Sequence, residues 1–135
     1  MTAATVYRII VPSCPADVLS PNARVHWSVK NRAAREFRAL AKYAAMQDGR
    51  PATILGPVSV SVRVLWPARR RKSDADNALA SVKAAVDGLT DAGVWQDDRQ
   101  IVRMSIEQEK LDKVGRAQWP NGAVVFDIAG HSTSE

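Results

Sequence analysis

Val58-Ser59-Val60-Ser61-Val62-Arg63-Val64 places a valine at every second position with a polar residue between each pair. Side chains of an extended chain alternate between two faces, so this stretch reads as a strand with one buried and one wetted face. Pro67, which has no amide hydrogen to give a ladder, ends it. Upstream the period changes. Ala33, Phe37, Leu40, Ala41 and Ala44 recur at three- and four-residue spacing, which predicts a helix from about Ser28 to Asp48, with Gly49 at its C-cap and Pro51 beyond. Thr5 to Val11 is a short strand rich in valine and isoleucine, stopped by Pro12, and Ser13 to Trp27 is a loop. Downstream, Leu79, Val82, Val86 and Leu89 form one apolar stripe of a second helix, from about Asp76 to Thr90, which Asp91-Ala92-Gly93 breaks. Val102, Met104 and Ile106 alternate with Arg103, Ser105 and Glu107 as a third strand, and Val124, Phe126 and Ile128 mark a fourth. Between them Lys110 to Gly122 is a polar loop or hairpin, and the tail from His131 to Glu135 is expected to fray. The order β-α-β-α-β-β, with at least one hairpin, predicts a two-layer α+β domain: two main helices against one face of a mixed β-sheet.

With 135 residues, 46% of them hydrophobic, the chain is expected to fold as one domain, 1–135, around one core. The single cysteine, Cys14, has no partner for an internal disulfide and no cationic neighbour to activate it. No apolar run approaches the roughly 20 residues needed to span a membrane. Arg8 interrupts the short apolar N-terminus, which lacks the pattern of a signal peptide, so a cytoplasmic protein without a membrane partner is the expectation. The formal net charge of +5 points to an anionic partner. The distribution says more, because the basic run Arg69-Arg70-Arg71-Lys72 is followed directly by Asp74 and Asp76. A purely electrostatic DNA binder gains nothing from carboxylates beside its phosphate contacts. An enzyme that brings a metal to a phosphate does.

Asp74 and Asp76 lie two residues apart at a strand-to-helix junction, and on extended backbone their side chains point the same way. Converging carboxylates repel unless a cation lies between them, and hard oxygen ligands suit Mg2+ or Mn2+. Helix capping is the competing reading, which the spacing alone favours. Lys83 follows Asp76 by seven residues, about two helical turns, so Asp76, Lys83 and Asp87 share one helix face. Lys83 either reaches toward a phosphate or pairs with Asp87 at i, i+4. Asp97 and Asp98 must point in different directions if extended. One can join Asp74 and Asp76 while the other orients it or caps the turn; the alternative is that both are solvated.

Arg69 to Lys72 would grip the DNA backbone, and Asn22 and Arg24 in the N-terminal loop are further candidates for that contact. Trp27 either stacks on an unpaired base or, as aromatic residues beside a helix start commonly do, packs into the core; packing is the expectation. Lys30, Arg32, Arg35 and Arg38 make the first helix either a DNA face or an ordinary solvated one. His26 is not expected to bind metal, since the chain has one cysteine and two histidines far apart.

Taken together, Asp74-Ala75-Asp76-Asn77, the helix carrying Lys83, and Asp87-Gly-Leu-Thr-Asp-Ala-Gly-Val-Trp-Gln-Asp-Asp-Arg-Gln-Ile101 resemble the RusA-type Holliday junction resolvases, small endonucleases of phages and prophages. Leu19-Ser-Pro-Asn-Ala-Arg-Val-His-Trp27 resembles that family's N-terminal loop, so the likeness runs from about residue 19 to about residue 106. The resemblance implies a homodimer that cuts four-way DNA junctions with Mg2+ or Mn2+, in DNA recombination and repair within a bacterial host. It places metal-binding catalytic acids at Asp74, Asp76 and Asp98, the essential lysine at Lys83, and Asp97 and Asn77 in support. Local support for dimerisation comes only from Val94 and Trp95, if these are exposed. One departure matters: the five residues Ala78 to Val82 between Asn77 and Lys83 exceed the spacing of the family's bacterial prototype. Three other readings compete: a junction-binding protein that does not cut, a flap or fork nuclease using the same acids, and a protein whose acids are caps and whose basic run is merely solvated.

Overall fold

The computed structural model describes residues 4–47, 52–67 and 75–131. Strands β1 (Ala4–Val11), β2 (Val58–Trp66), β3 (Ile101–Lys110) and β4 (Ala123–His131) form one sheet in the order β1-β4-β2-β3. β4 is antiparallel to both β1 and β2, while β3 is parallel to β2. Helices α1 (Trp27–Gln47), α2 (Ala75–Ser81), α3 (Lys83–Asp91) and α4 (Lys113–Gln118) complete the α+β architecture, a mixed sheet with helices as expected. Among the described residues, no helix is long and apolar enough to cross a membrane.

The inward valines of β2, Val58 to Val64, pack with Ile9, Val11, Phe126 and Ile128 beneath Phe37, Ala41 and Ala45 of α1 and Ala85, Val86 and Leu89 of α3. Where α1 and α3 cross, a Cβ on Gly88 would drive into the Arg38 carbonyl oxygen and sit 3.0 Å from the Ala41 Cβ. The glycine lets the helices approach. Beside it, Arg38 makes a two-pronged ion pair with Asp91, 2.6 and 2.8 Å. Among the described residues, the sheet's opposite face carries a small cluster of Leu65, Ala123 and Val125, packed with Ile10, Leu111 and Trp119.

Four expectations are corrected here. The described strands contain no hairpin: β3 and β4 flank β2 on opposite sides, and their connection crosses over and carries α4. β4 buries both faces along Ala123–Phe126, as befits a strand inside the sheet. The second helix is two pieces. At Val82 the backbone turns to φ −90°, ψ 0°. The Ser81 hydroxyl donates to the Asn77 carbonyl at 2.9 Å, a back-bond that bends helices. Val102 is 66% exposed rather than inward. Val58 pairs with Ile101 but Ser59 with Arg103, so β3 carries an extra residue that turns Val102 outward and leaves Ile101, Met104 and Ile106 facing the core. Val94 and Trp95 are buried, and the Trp95 indole donates to the Thr90 hydroxyl at 2.7 Å, so neither residue lends support to a dimer contact.

Candidate functional site

Asp76 lies in the first turn of α2, Lys83 opens α3, and Asp98 begins a short 3-10 turn, residues Asp98–Gln100, that leads into β3. These segments are distant in sequence. The fold brings all three side chains to one cavity of about 560 Å3, floored by Leu79, Val86, Ile101 and Met104. The apolar floor is the stripe of α2 and α3 meeting the inner side of β3, and the charged groups form its rim.

The Lys83 ammonium donates to Asp87 at 2.8 Å and to Asp98 at 3.4 Å. The Asp87 hydrogen bond, with a smaller contribution from Asp98, holds the lysine above its ordinary pKa despite partial burial, so it is charged at neutral pH. Lys83 thus pairs with Asp87 and also lines the cavity. Asp76 is exposed and accepts from the Asn77 amide at 3.0 Å.

Asp97 and Asp98 take different parts, though not on a run of extended backbone: Asp97 is the extended residue before the 3-10 turn, and Asp98 opens that turn and lines the cavity. Asp97 caps the turn, accepting from the Arg99 amide at 2.9 Å and from its guanidinium at 2.9 Å. Those Arg99 hydrogen bonds hold the Asp97 carboxyl at about 2. Asp97 thereby shapes the turn that carries Asp98.

The residue that sequence reasoning passed over is Gln100. Its carboxamide oxygen accepts from the Gln96 and Asp97 amides at 2.9 and 3.1 Å. Its nitrogen donates to the Ile54 and Gly56 carbonyls at 2.8 and 2.9 Å. One side chain thus closes the turn that carries Asp98 and straps it to the loop before β2. The signal was present, since Asp97-Asp98-Arg99-Gln100 has the spacing of a capping box.

Asp74 and Arg69 to Lys72 lie outside the described residues. Among the described residues, no three His, Cys, Asp or Glu side chains gather into a ligand cluster. Asn77 is half-buried on α2, and its carbonyl receives the Ser81 hydroxyl. In the N-terminal loop Asn22 and Arg24 are exposed. Trp27 does not pack into the core: it is 72% exposed, on the first turn of a helix whose buried positions begin only at Phe37. His26 caps that helix, its carbonyl accepting from the Val29 amide at 3.0 Å and its ring Nδ1 from the Ser28 amide at 3.1 Å. Of the basic residues on α1, Arg38 is engaged by Asp91 and Lys30 by the Ser20 carbonyl, whereas Arg32 and Arg35 have no ion-pair partner among the described residues.

Carboxylate oxygens and an ammonium around one open cavity suit a cation and an anionic substrate together. Residues 20–120 match the family profile described as Endodeoxyribonuclease RusA. The chain is 36% identical over 96 residues to the crossover junction endodeoxyribonuclease RusA of Escherichia coli strain K12, covering 70% of this chain and 73% of that one. It is 31% identical over 115 residues to the crossover junction endodeoxyribonuclease of Enterobacteria phage 82, covering 83% and 90%. It is also 34% identical over 119 residues to a protein of Xylella fastidiosa, covering 86% and 72%. A profile spanning most of the chain, and relatives above 30% identity across most of their own length, establish that the chain belongs to the RusA family of endodeoxyribonucleases.

Proposed function

We propose that this chain is a single-domain, Mg2+- or Mn2+-dependent endonuclease that resolves four-way DNA junctions by phosphodiester hydrolysis, in recombination and repair. It would work as a homodimer in the bacterial cytoplasm, from a gene of phage or prophage origin. The observation that carries this reading is the meeting of Asp76, Lys83 and Asp98 at one cavity, in a chain of an endodeoxyribonuclease family.

The donor set fits a hard divalent ion. The carboxylates of Asp76 and Asp98 open to the same space, and Asp98 already faces one cation in Lys83. Asp74, Asp76 and Asp98 would hold the metal. A divalent ion bound there supplies water activation and charge relief at the phosphate. Lys83, protonated through its contact with Asp87, donates to a non-bridging phosphate oxygen as negative charge grows there in the transition state. Arg69, Arg70, Arg71 and Lys72, with Asn22 and Arg24, bind the flanking backbone and fix the scissile bond's position without reading sequence. Asn77 and Asp97 support the acids beside them, Asp97 by capping the turn that presents Asp98.

The test is cleavage of a synthetic four-way junction with Mg2+, with Mn2+ and with chelator, beside linear duplex, fork and flap substrates. Junction-selective cutting that needs the metal supports the reading. Binding without cutting under every condition identifies a non-catalytic junction binder, and preference for flaps or forks identifies a nuclease of other branches. Asp74→Asn and Asp98→Asn should each abolish cleavage while junction binding persists or tightens, since a negative charge near the phosphates is gone. Cleavage at the wild-type rate by either variant removes that acid from the metal site.

A further inference from the structure

We propose that Trp27, with His26 beside it, is a stacking platform for an unpaired nucleobase at the branch point of the DNA, with Arg24 and Arg32 engaging the adjoining phosphates. The inference rests on the reading of branched DNA as substrate and adds the element that would recognise the branch.

The exposure of Trp27 has no structural return. Trp66 and Trp95 are each 1% exposed, whereas Trp27 is 72% exposed, with the His26 ring beside it at a centroid distance of 5.6 Å and an interplanar angle of 32°. The pair is held in place by the His26 cap, so the indole projects from an ordered helix end. The surroundings are one-signed. Residues 18–35 contain Arg24, Lys30, Arg32 and Arg35 and no acid. Elsewhere Arg8, Arg38 and Arg99 all pair with carboxylates, but Arg24, Arg32 and Arg35 pair with none among the described residues. An open aromatic face, in a stretch of chain whose guanidinium groups have no carboxylate partner among the described residues, complements a nucleotide, which offers a flat π-surface and a phosphate on one unit. It does not complement a second copy of this chain, because a twofold contact here would bring the same cations together.

The platform also lies on the side of the molecule that holds Asp76. β1 and β2 run parallel, both being antiparallel to β4, and the loop leaving β1 and the connection leaving β2 emerge at the same ends of these strands. The loop after β1 is joined to both helices: Lys30 of α1 donates to the Ser20 carbonyl at 3.2 Å, and Ser81 of α2 donates to the neighbouring Leu19 carbonyl at 3.5 Å. In a linear duplex every internal base is stacked on both faces. A branch offers a free face, so a stacking residue supplies discrimination that backbone contacts cannot.

The test uses the full chain carrying Asp98→Asn to prevent cutting, and a four-way junction with 2-aminopurine beside the crossover. Wild-type Trp27 should change the probe's fluorescence on binding. Trp27→Ala and Trp27→Leu should lose that change and bind the junction roughly ten-fold more weakly. Both should leave duplex affinity and the slope of log affinity against log salt unaltered. Trp27→Phe should restore most of the signal and affinity. Unchanged junction affinity and fluorescence in the alanine and leucine variants overturn the proposal while leaving branched-DNA recognition intact. Equal loss on junction and duplex, or an altered oligomeric state by sedimentation, also overturns it. A wild-type chain that binds the junction no better than duplex overturns the substrate reading and the platform with it.

Discussion

Gln100→Ala removes four hydrogen bonds at once, from the Gln96 and Asp97 amides and to the Ile54 and Gly56 carbonyls. A typical intramolecular hydrogen bond contributes about 0.5–1.5 kcal/mol net. Gln96 is exposed and water can replace part of what the carboxamide gives, so about 0.5–0.75 kcal/mol applies to each bond and the sum is about 2–3 kcal/mol. For a chain of this size the corresponding fall in Tm is roughly 6–12 °C. Gln100→Glu separates the hydrogen bonds from mere bulk. It keeps the acceptor for the two amides but turns the donor into a second oxygen facing two carbonyls, so it should destabilise at least as much as alanine. Urea unfolding reads the energy, and amide exchange at Gln96 and Asp97 reads the place: both should lose protection ahead of the core. Because the turn presenting Asp98 is then untethered, half-maximal cleavage should need more divalent ion. An alanine variant within about 0.5 kcal/mol of wild type, with those two amides still protected, would refute the assignment of Gln100 as the strap.

Gly88→Ala should destabilise by about 1–3 kcal/mol in chemical denaturation despite alanine's better helix propensity, because the new Cβ meets Arg38 backbone rather than a side chain that can swing away. Equal or greater stability would mean the helices do not cross so closely. Lys83→Met should leave stability within about 0.5 kcal/mol, since its ion pairs are largely solvated, and junction binding intact, yet lower the cleavage rate by roughly 100-fold. A near-normal rate would dismiss the lysine from the reaction. Asp97 has its carboxyl lowered from 3.8 to about 2 by Arg99, so its stabilisation is complete above the higher value and disappears as pH falls toward the lower. The stability difference between wild type and Asp97→Asn should therefore be constant near neutrality and shrink across that acid window; a difference unchanged below pH 2 would sink the argument.

The alternating valines of β2 and the heptad-like spacing of α1 were legible because each segment meets water on one side, and that asymmetry writes a period into the sequence. Failures came where a single position departed from the period for reasons outside its own segment. Val102 alternates correctly with Met104 and Ile106, yet an extra residue in the ladder against β2 rotates it outward. Trp27 sits at the start of a helix, but whether a helix start lies over the sheet depends on where the sheet ends, which no local pattern records. Pairing of β4 between β1 and β2 could be inferred only from the burial of both its faces, and Asp127 interrupts that run while pairing with Arg8 across the strands. Around the cavity, residue types and spacing left Asp76, Lys83 and Asp98 open to capping, pairing and solvation, and the family resemblance was what singled the three out together. The role of Gln100 was hidden because two of its four partners are backbone carbonyls more than forty residues away.

The long interval between Asn77 and Lys83 argued against Lys83 reaching the acids, and the geometry shows why the objection has less force than helix arithmetic gives it. On one straight helix, seven residues separate Asp76 from Lys83 by about 10.5 Å along the axis. The chain does not keep that line. Ser81 bonds back to Asn77, Val82 shares its amide between the Ala78 and Leu79 carbonyls at 3.3 Å each, and α3 sets out anew at Lys83. Asp87, one turn further on, then holds the ammonium 3.4 Å from Asp98. Extra residues in α2 are thus absorbed by a break whose local cause is a serine. The position of Lys83 is set from the other side, by α3 packed through Gly88 on α1 and by the turn strapped by Gln100. Spacing from the first acids is therefore a weaker constraint on this lysine than its spacing to Asp87, which is a single helical turn.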